Sequence, residues 1–382
     1  MSTAPLGQPP VELDQRVNGP SGLDRRRFIK ACGGLAAGTL VGNQLASSAN
    51  AAPAGAKGRS DLVRFGPTDL YVTRYCQGTA FRQVQRSDNP AARRILHKCL
   101  DVGINFFDSA EAYGWDGSEI VLGKAIAGRR DQVVICTKAA PSLKPQRDPD
   151  TNQFKLGGKC TLTREMVIRK AEGSLKRLDT DYIDLFMYHS PDDVTPVEEL
   201  AASMDALVKA GKIRYWGASN FPAQQIDQFC DVGRANHQQA PIAGTEDYFH
   251  IAVGERYDPN LFKVIRENGL GMLAFSPQNE GQLSPGRDSK LGKAKTQVVR
   301  ALDKVTHDVG ATRPQVCIAW VLSHPEVTSV LGGAESPAHV EENFGGTRLK
   351  LPPEALATLN AASEKYLQHR MRRLKEEKAK GA

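Results

Sequence analysis

Short apolar runs that end on ionisable residues, alternating with stretches of helical period, constrain this chain more than any other feature. Gly103-Ile104-Asn105-Phe106-Phe107 runs into Asp108, Val133-Val134-Ile135-Cys136-Thr137 into Lys138, and Ile183-Asp184-Leu185-Phe186-Met187-Tyr188 into His189. Tyr113 follows Asp108 in a loop punctuated by Gly114. Such alternation is the pattern of a parallel sheet covered by helices. In a parallel α/β barrel the C-terminal ends of the strands form the reactive face. Asp108, Tyr113, Lys138 and His189 are therefore expected around one pocket.

The alternation continues along most of the chain. Residues 71–78 are expected as the first barrel strand, after a small hairpin around 64–70. Helix is expected over 93–102, and Ser118 is placed to cap a helix that Gly128 ends. Residues 141–160, rich in Pro, Asp and Gly, read as a long loop of the kind that shapes pockets or lids. Helix follows over 163–178 and again from Val197 to Val208, with Gly211 as C-cap. Later strands are expected at 213–218, 241–245, 271–275 and 328–331, and helices near 224–230, 261–268, 295–308, 313–322 and 338–344. No repeat longer than the βα unit is visible, so residues 61–368 read as one (β/α)8 TIM barrel; such barrels commonly use ~250 residues.

The formal charge of +7 among 382 residues is modest, and Lys and Arg are interspersed with acids, which argues against a nucleic-acid stripe. A basic run, 370–380, is interrupted by Glu376 and Glu377 and reads as a solvated terminal helix within a tail, 369–382. Seven cysteines include no CxxC and no Cys/His cluster of zinc-like spacing, so no metal site and no disulfide framework are expected. Cys99, Cys136 and Cys317 sit in apolar surroundings, where a small buried hydrophobe is the default.

The front end reads as an address. Arg25-Arg26-Arg27-Phe28-Ile29-Lys30 fits the twin-arginine export pattern, with Asp24 where Ser or Thr is usual. A weakly apolar stretch, 31–46, precedes a small-x-small site at Ala49-Asn50-Ala51, giving a signal over 1–51 and a flexible spacer over 52–60. That stretch is too short and too rich in glycine to span a membrane stably. The expected location is periplasmic or extracytoplasmic, with the twin-arginine machinery as a partner; an uncleaved disordered leader is the alternative.

Six segments, in order between about Val63 and Leu359, resemble the aldo-keto reductase family. They are Asn105-Phe106-Phe107-Asp108 through Glu111-Ala112-Tyr113, the Thr137-Lys138 strand end, the His189 strand end, Trp216-Gly217-Ala218-Ser219-Asn220-Phe221, Ala274-Phe275-Ser276-Pro277, and Glu341-Glu342-Asn343-Phe344. The resemblance implies hydride transfer between NADP or NAD and an aldehyde, ketone or sugar-like carbonyl or alcohol. Tyr113 is the general acid, Lys138 lowers its pKa, Asp108 directs Lys138, and His189 orients the substrate oxygen. It also implies that Ser219 and Asn220 hold the nicotinamide carboxamide, Phe275 stacks on its ring, Ser276 opens a loop around the pyrophosphate that includes Gln282 and Leu283, and Glu342 and Asn343 meet the adenine.

Two departures stand out. Where the family often has a glutamine on the sixth strand, this chain reads Gly244-Thr245-Glu246-Asp247-Tyr248, with Thr245 in register. Near Gly333 and His339, where many members place cations for the 2′-phosphate of NADP, there is none, and Glu335 would repel that phosphate unless Lys290 or Lys293 compensates. NADP preference is thus expected to be weak. Two alternatives remain open: a hydride shuttle with tightly bound nucleotide, and a redox-sensing binding subunit.

Overall fold

The computed structural model describes residues 61–81, 89–142, 146–147, 154–155, 159–235, 241–254, 257–288 and 291–381. The twin-arginine segment, the cleavage site and the spacer lie outside the described residues.

An antiparallel hairpin, β1 (Leu62–Arg64) and β2 (Tyr71–Thr73), comes first. The barrel strands are β3 (Tyr75–Gly78), β4 (Phe106–Asp108), β5 (Val134–Ala139), β8 (Ile183–Tyr188), β9 (Ile213–Ser219), β10 (Gly244–Tyr248), β11 (Gly271–Phe275) and β12 (Ser329–Gly332). They close in that order, with β12 pairing back to β3 and every barrel pair parallel. The remaining strands, β6 (Gln146–Arg147) and β7 (Phe154–Lys155), form a two-stranded antiparallel ribbon. The helices are α1 (Pro90–Asp101), α2 (Gly117–Ala125), α3 (Arg164–Leu178), α4 (Val197–Lys209), α5 (Ala223–Ala235), α6 (Pro259–Asn268), α7 (Lys293–Val309), α8 (Arg313–Leu322), α9 (Pro337–Gly346) and α10 (Pro353–Gly381). The eight-stranded (β/α)8 barrel expected from the sequence is the fold observed.

Local chemistry explains half of the ten helix starts among the described residues. Asn89, Thr163, Asp258, Thr312 and Ser336 each accept a backbone N–H of the first turn, and Thr312 with Gln315 makes a full capping box. Ser118 does not cap. Asp116 stands at the α2 N-cap in left-handed geometry, and Ser118 Oγ instead donates 2.7 Å to the Thr79 carbonyl.

Two apolar layers hold the fold. One fills the space between strands and helices, where Trp216 and Phe229 meet edge to face at 5.3 Å and Phe249 stacks on Trp320 at 5.5 Å. The other fills the barrel interior with Phe65, Leu70, Val72, Cys76, Phe106, Val134, Cys136, Leu185, Met187 and Leu273. Its first three residues come from the hairpin, which therefore plugs the barrel end opposite the reactive face. Gly271 makes room for the plug, since a Cβ there would come within 2.7 Å of the Phe65 ring.

Four expectations shift. The run 71–78 is two strands, because the chain leaves the hairpin at Arg74 before entering the barrel. The sixth barrel strand spans Gly244–Tyr248 rather than 241–245, so it carries Glu246 inside the barrel wall. The 141–160 segment is no plain loop: a Ser142–Lys159 bridge and the β6–β7 ribbon pair part of its backbone. Finally, α10 runs unbroken across residue 369, packing on α7, so no structural boundary separates the basic tail. Among the described residues no disulfide forms, and no helix is long and apolar enough to cross a membrane.

Candidate active site

Parallel pairing places the ends of β4, β5, β8 and β9 side by side, and this registers the site. Asp108 pairs with Cys136, and Lys138 with Met187. His189 is the first residue after β8, with its N–H on the Ala139 carbonyl at 2.9 Å. Tyr113 sits in a short helical turn, residues 113–116, after β4.

These four residues converge. The Lys138 ammonium, fully buried, ion-pairs with Asp108 and donates to the Ser109 carbonyl at 3.1 Å. It lies 5.2 Å from the centroid of the Tyr113 ring. Tyr113 and His189 meet edge to face at 5.5 Å. Asp108, Tyr113 and His189 line one cavity of about 700 Å³, a volume typical of ligand sites.

Burial decides the protonation states. His189 is pushed down to about 3, first by burial and then by the Lys138 charge, so its imidazole is neutral. Lys138 is held well above its ordinary value: burial opposes its charge, but Asp108 and Glu246 outweigh burial. Tyr113 differs from expectation. Burial raises the phenol, and Asp108 and Glu246 raise it further, so the Lys138 charge only tempers the rise. The phenol is therefore protonated at neutral pH, which is the state an acid needs.

The sequence reading missed Glu246. Register pairs it with Ser219, so it faces the barrel interior and lines the cavity, 3.2 Å from the Lys138 ammonium. Thr245, expected there, lies on the other face of the strand and is fully buried. The strand was expected to end at Thr245; its continuation to Tyr248 is what brings Glu246 into the alternation. Asp108, Cys136 and Glu246 offer ligand atoms within 4.8 Å of one another, but the cation against the two carboxyls is the Lys138 ammonium.

The expected cofactor residues Ser219, Asn220, Phe275, Ser276, Glu342 and Asn343 all line the same cavity. Asn220 and Ser276 hold left-handed backbone, at φ 61° and 58°, directly after β9 and β11. Non-glycine residues keep that conformation only where the surroundings enforce it, commonly at ligand sites. Asn220 Nδ2 donates to the His189 carbonyl at 3.1 Å and to Ser219 Oγ at 2.9 Å. Asn343 donates to the Tyr75 hydroxyl at 3.2 Å and accepts from Gln278 at 3.1 Å, which ties α9 to the loop after β11.

Gln282 and Leu283 do not line the cavity. Gln282 accepts from Lys295, and Leu283 is buried beneath the loop; Gln278, Glu280, Gly281 and Ser284 form the wall instead. Lys293 lines a separate groove with Arg300, Lys365 and Arg372, and Lys290 lies outside the described residues. Among the described residues, the cation on the cavity wall is Arg287, beside Glu335, His339 and Glu342. The next residue but one before it, Pro285, lines the same wall, and Asp288 anchors the loop to Arg313 of α8 at 2.8 Å.

The donor set suits a dinucleotide. Both hydrogens of the Asn220 amide are committed, leaving its oxygen to accept from a carboxamide. Phe275 supplies an aromatic face, and the cavity continues past the Ser276 loop to Glu342.

Comparison with known proteins agrees with this geometry. The sequence profile described as Aldo/keto reductase family matches residues 76–364. "Uncharacterized oxidoreductase YrpG" of Bacillus subtilis is 30% identical over 321 residues, covering 78% of this chain and 95% of that protein. A probable voltage-gated potassium channel subunit beta of Oryza sativa is 29% identical over 303 residues, covering 73% and 88%. The crystal structure of the thermostable aldo-keto reductase Tm1743, in complex with the inhibitor epalrestat, superposes with a TM-score of 0.63 at 28% identity, covering 79% of this chain and 99% of that one.

Proposed function

The chain belongs to the aldo/keto reductase family, and on that premise we propose that it reduces an aldehyde, ketone or sugar-like carbonyl with Tyr113 as the proton donor. Members of the family are NAD(P)-dependent oxidoreductases acting on carbonyls. One observation carries the proposal: Asp108, Tyr113 and His189 line a single cavity, and the buried Lys138 ammonium lies behind them, paired with Asp108 and 5.2 Å from the Tyr113 ring centroid.

A bound nicotinamide supplies hydride, which no side chain can. The chain's own residues manage the proton. As a carbonyl gains electrons, negative charge develops on its oxygen, and donors aimed there lower the barrier. Neutral His189 donates an N–H without bringing charge of its own. Tyr113 gives its phenolic proton, and the Lys138 ammonium lowers the cost of the phenolate left behind. Asp108 fixes the ammonium in place. Ser219 and Asn220 would hold the carboxamide, Phe275 would cover the ring, and Glu342 would lie by the adenine.

Turnover of reduced nucleotide with a panel of aldehydes, ketones and aldoses tests the proposal. Consumption that depends on the carbonyl supports it. Nucleotide binding without turnover on any carbonyl would favour a redox-sensing subunit, the second reading, which the likeness to the rice channel-subunit sequence motivates.

Cofactor choice follows from the cavity wall. A 2′-phosphate carries nearly two negative charges, and Arg287 shares that wall with Glu335 and Glu342. NAD is expected to be used measurably, with NADP favoured less than about a hundredfold, the span of one or two charge-assisted contacts. A Cβ at Gly333 meets nothing within 4 Å, so Gly333→Arg is accommodated and shifts the affinity ratio toward NADP. Arg287→Ala shifts it toward NAD. Titration of both nucleotides by tryptophan-fluorescence quenching checks both changes; an unchanged ratio in either variant contradicts this account of the wall.

Export through the twin-arginine pathway is the second part of the proposal and rests on the sequence: the Arg25 to Lys30 pattern, the weakly apolar stretch 31–46 and the small-x-small site at Ala49-Asn50-Ala51. Changing Arg25, Arg26 and Arg27 to Lys keeps the charge but removes the guanidinium pattern. The precursor is expected to accumulate in the cytoplasm on fractionation. Undiminished export would show that the segment is not this address.

A further inference from the structure

Two carboxyls share one ammonium at the floor of the cavity. Asp108 and Glu246 are 1% and 2% exposed, and both lie against Lys138, which is fully buried. Asp108 Oδ2 and Glu246 Oε2 are each buried without a hydrogen-bond donor; Oε2, although 3.2 Å from the ammonium, lacks hydrogen-bond geometry to it. Buried acceptors left unsatisfied are costly and rare. A single proton on Glu246 that bridges to Asp108 would satisfy both oxygens and leave the cluster neutral, with Asp108 as the carboxylate and Lys138 as the cation.

The groups facing this cluster are few. Asp108 comes from β4, Lys138 and Cys136 from β5, Cys76 from β3, Tyr113 from the loop after β4, and His189 follows β8. Cys76 and Cys136 are thiols held well above their ordinary range by burial, and His189 is neutral, so the charge balance lies among Asp108, Lys138, Glu246 and Tyr113. Asp247, next in the chain, faces outward to Thr245 and the Asn220 backbone, and burial pushes it up to about 7.

We propose that Glu246 is a positioning residue for the proton donor: it holds a proton shared with Asp108, and when it loses that proton to solvent its charge offsets Lys138 and keeps Tyr113 protonated, so reduction persists to higher pH. Burial and the adjacent Asp108 charge both hold the Glu246 carboxyl well above the ordinary carboxylate range. Its ionised form opposes phenolate formation on Tyr113. The inference rests on the reductase reading and adds to it a second exchangeable proton.

Glu246→Gln keeps the shape and removes the charge. In this variant the alkaline limb of kcat/KM for carbonyl reduction is expected to move to lower pH by about 1–2 units, the size of one lost like-charge neighbour. Glu246→Asp should restore part of the wild-type limb, and Asp247→Asn should leave it in place. Infrared spectra of the nucleotide-free protein, taken in an Asp247→Asn background because Asp247 is itself pushed up to about 7, give a readout independent of turnover: at neutral pH a protonated-carboxyl band is present that Glu246→Gln removes. An unmoved limb, or a carboxyl band that survives in Glu246→Gln, overturns the proposal. Failure of the reductase reading looks different, because the wild type itself would then turn over no carbonyl while the infrared comparison could still be made.

Discussion

Tyr113→Phe is expected to lower carbonyl turnover by about two or more orders of magnitude, the contribution of a positioned general acid. The ring survives the change, so its edge-to-face contact with His189 at 5.5 Å and the cavity wall persist. What disappears is the phenolic hydroxyl whose ring lies 5.2 Å from the Lys138 ammonium. Nucleotide affinity should be nearly unchanged, because the phenol faces the tetrad and the Asn220, Ser276 and Glu342 wall is untouched. The loss should thus fall on kcat, as expected for a group acting mainly in the transition state. Activity within a few-fold of wild type would remove Tyr113 from the proton donor's role.

Lys138→Met should be as severe in rate and should also cost stability. The ammonium is the cation for two buried carboxyls and tempers the rise in the Tyr113 pKa. Without it the phenolate loses its nearest positive charge, and reduction should fall by about two or more orders of magnitude. Removing one partner from a buried ion pair costs roughly 3–5 kcal/mol when the other charge stays. Here the partners can escape by taking up protons. Asp108 and Glu246 already have folded-state pKa values above their ordinary values of 3.8 and 4.5 in the wild type, where Lys138 lowers both, so the variant should raise them further. A group with a raised folded pKa contributes stability at low pH and loses it as the pH rises. The stability deficit should therefore be smallest near pH 4, close to those ordinary values, and widen toward neutrality. Thermal unfolding of wild type and variant across that range measures it, and a pH-independent deficit would mean the carboxyls do not take up protons.

The tetrad was legible in the sequence because each member follows a run whose apolar character and length mark a buried strand. Once the strands are parallel and closed, their ends must meet, and Asp108, Lys138 and His189 need no further information. Tyr113 was legible through the glycine-rich loop that follows Asp108. The state of Tyr113 was not. Its pKa depends on the balance between burial and three charges, and Glu246, one of those charges, lay just beyond a strand expected to end at Thr245, three residues short of Tyr248. Successive side chains of a strand face opposite ways, so Thr245, matched to the family's glutamine, and Glu246 lie on opposite faces. Proline at 241 sits ahead of the paired segment, where it costs no ladder hydrogen bond.

Other misses share a cause: they depend on contacts distant in sequence. The break at Arg74 reflects where the guanidinium reaches the Leu322 and Val327 carbonyls, at 3.1 and 3.3 Å, some 250 residues away. Arg287 joins the cavity wall because Asp288 is tied to Arg313 on α8. Neither tie has a local signature. Lys293 looked close to the phosphate end in sequence but belongs to the first turn of α7, which faces a different groove.

Isotope transfer from nucleotide to substrate tests the central claim most directly. The protein would be incubated with reduced nucleotide deuterated at the transferable position, NAD and NADP forms separately, together with an aldehyde that it turns over, and the alcohol analysed by mass spectrometry. A reductase built on this tetrad gives alcohol carrying one deuterium on the former carbonyl carbon, and Tyr113→Phe gives almost none in the same time. Alcohol formed without the label, or labelled alcohol formed equally fast by Tyr113→Phe, would contradict it.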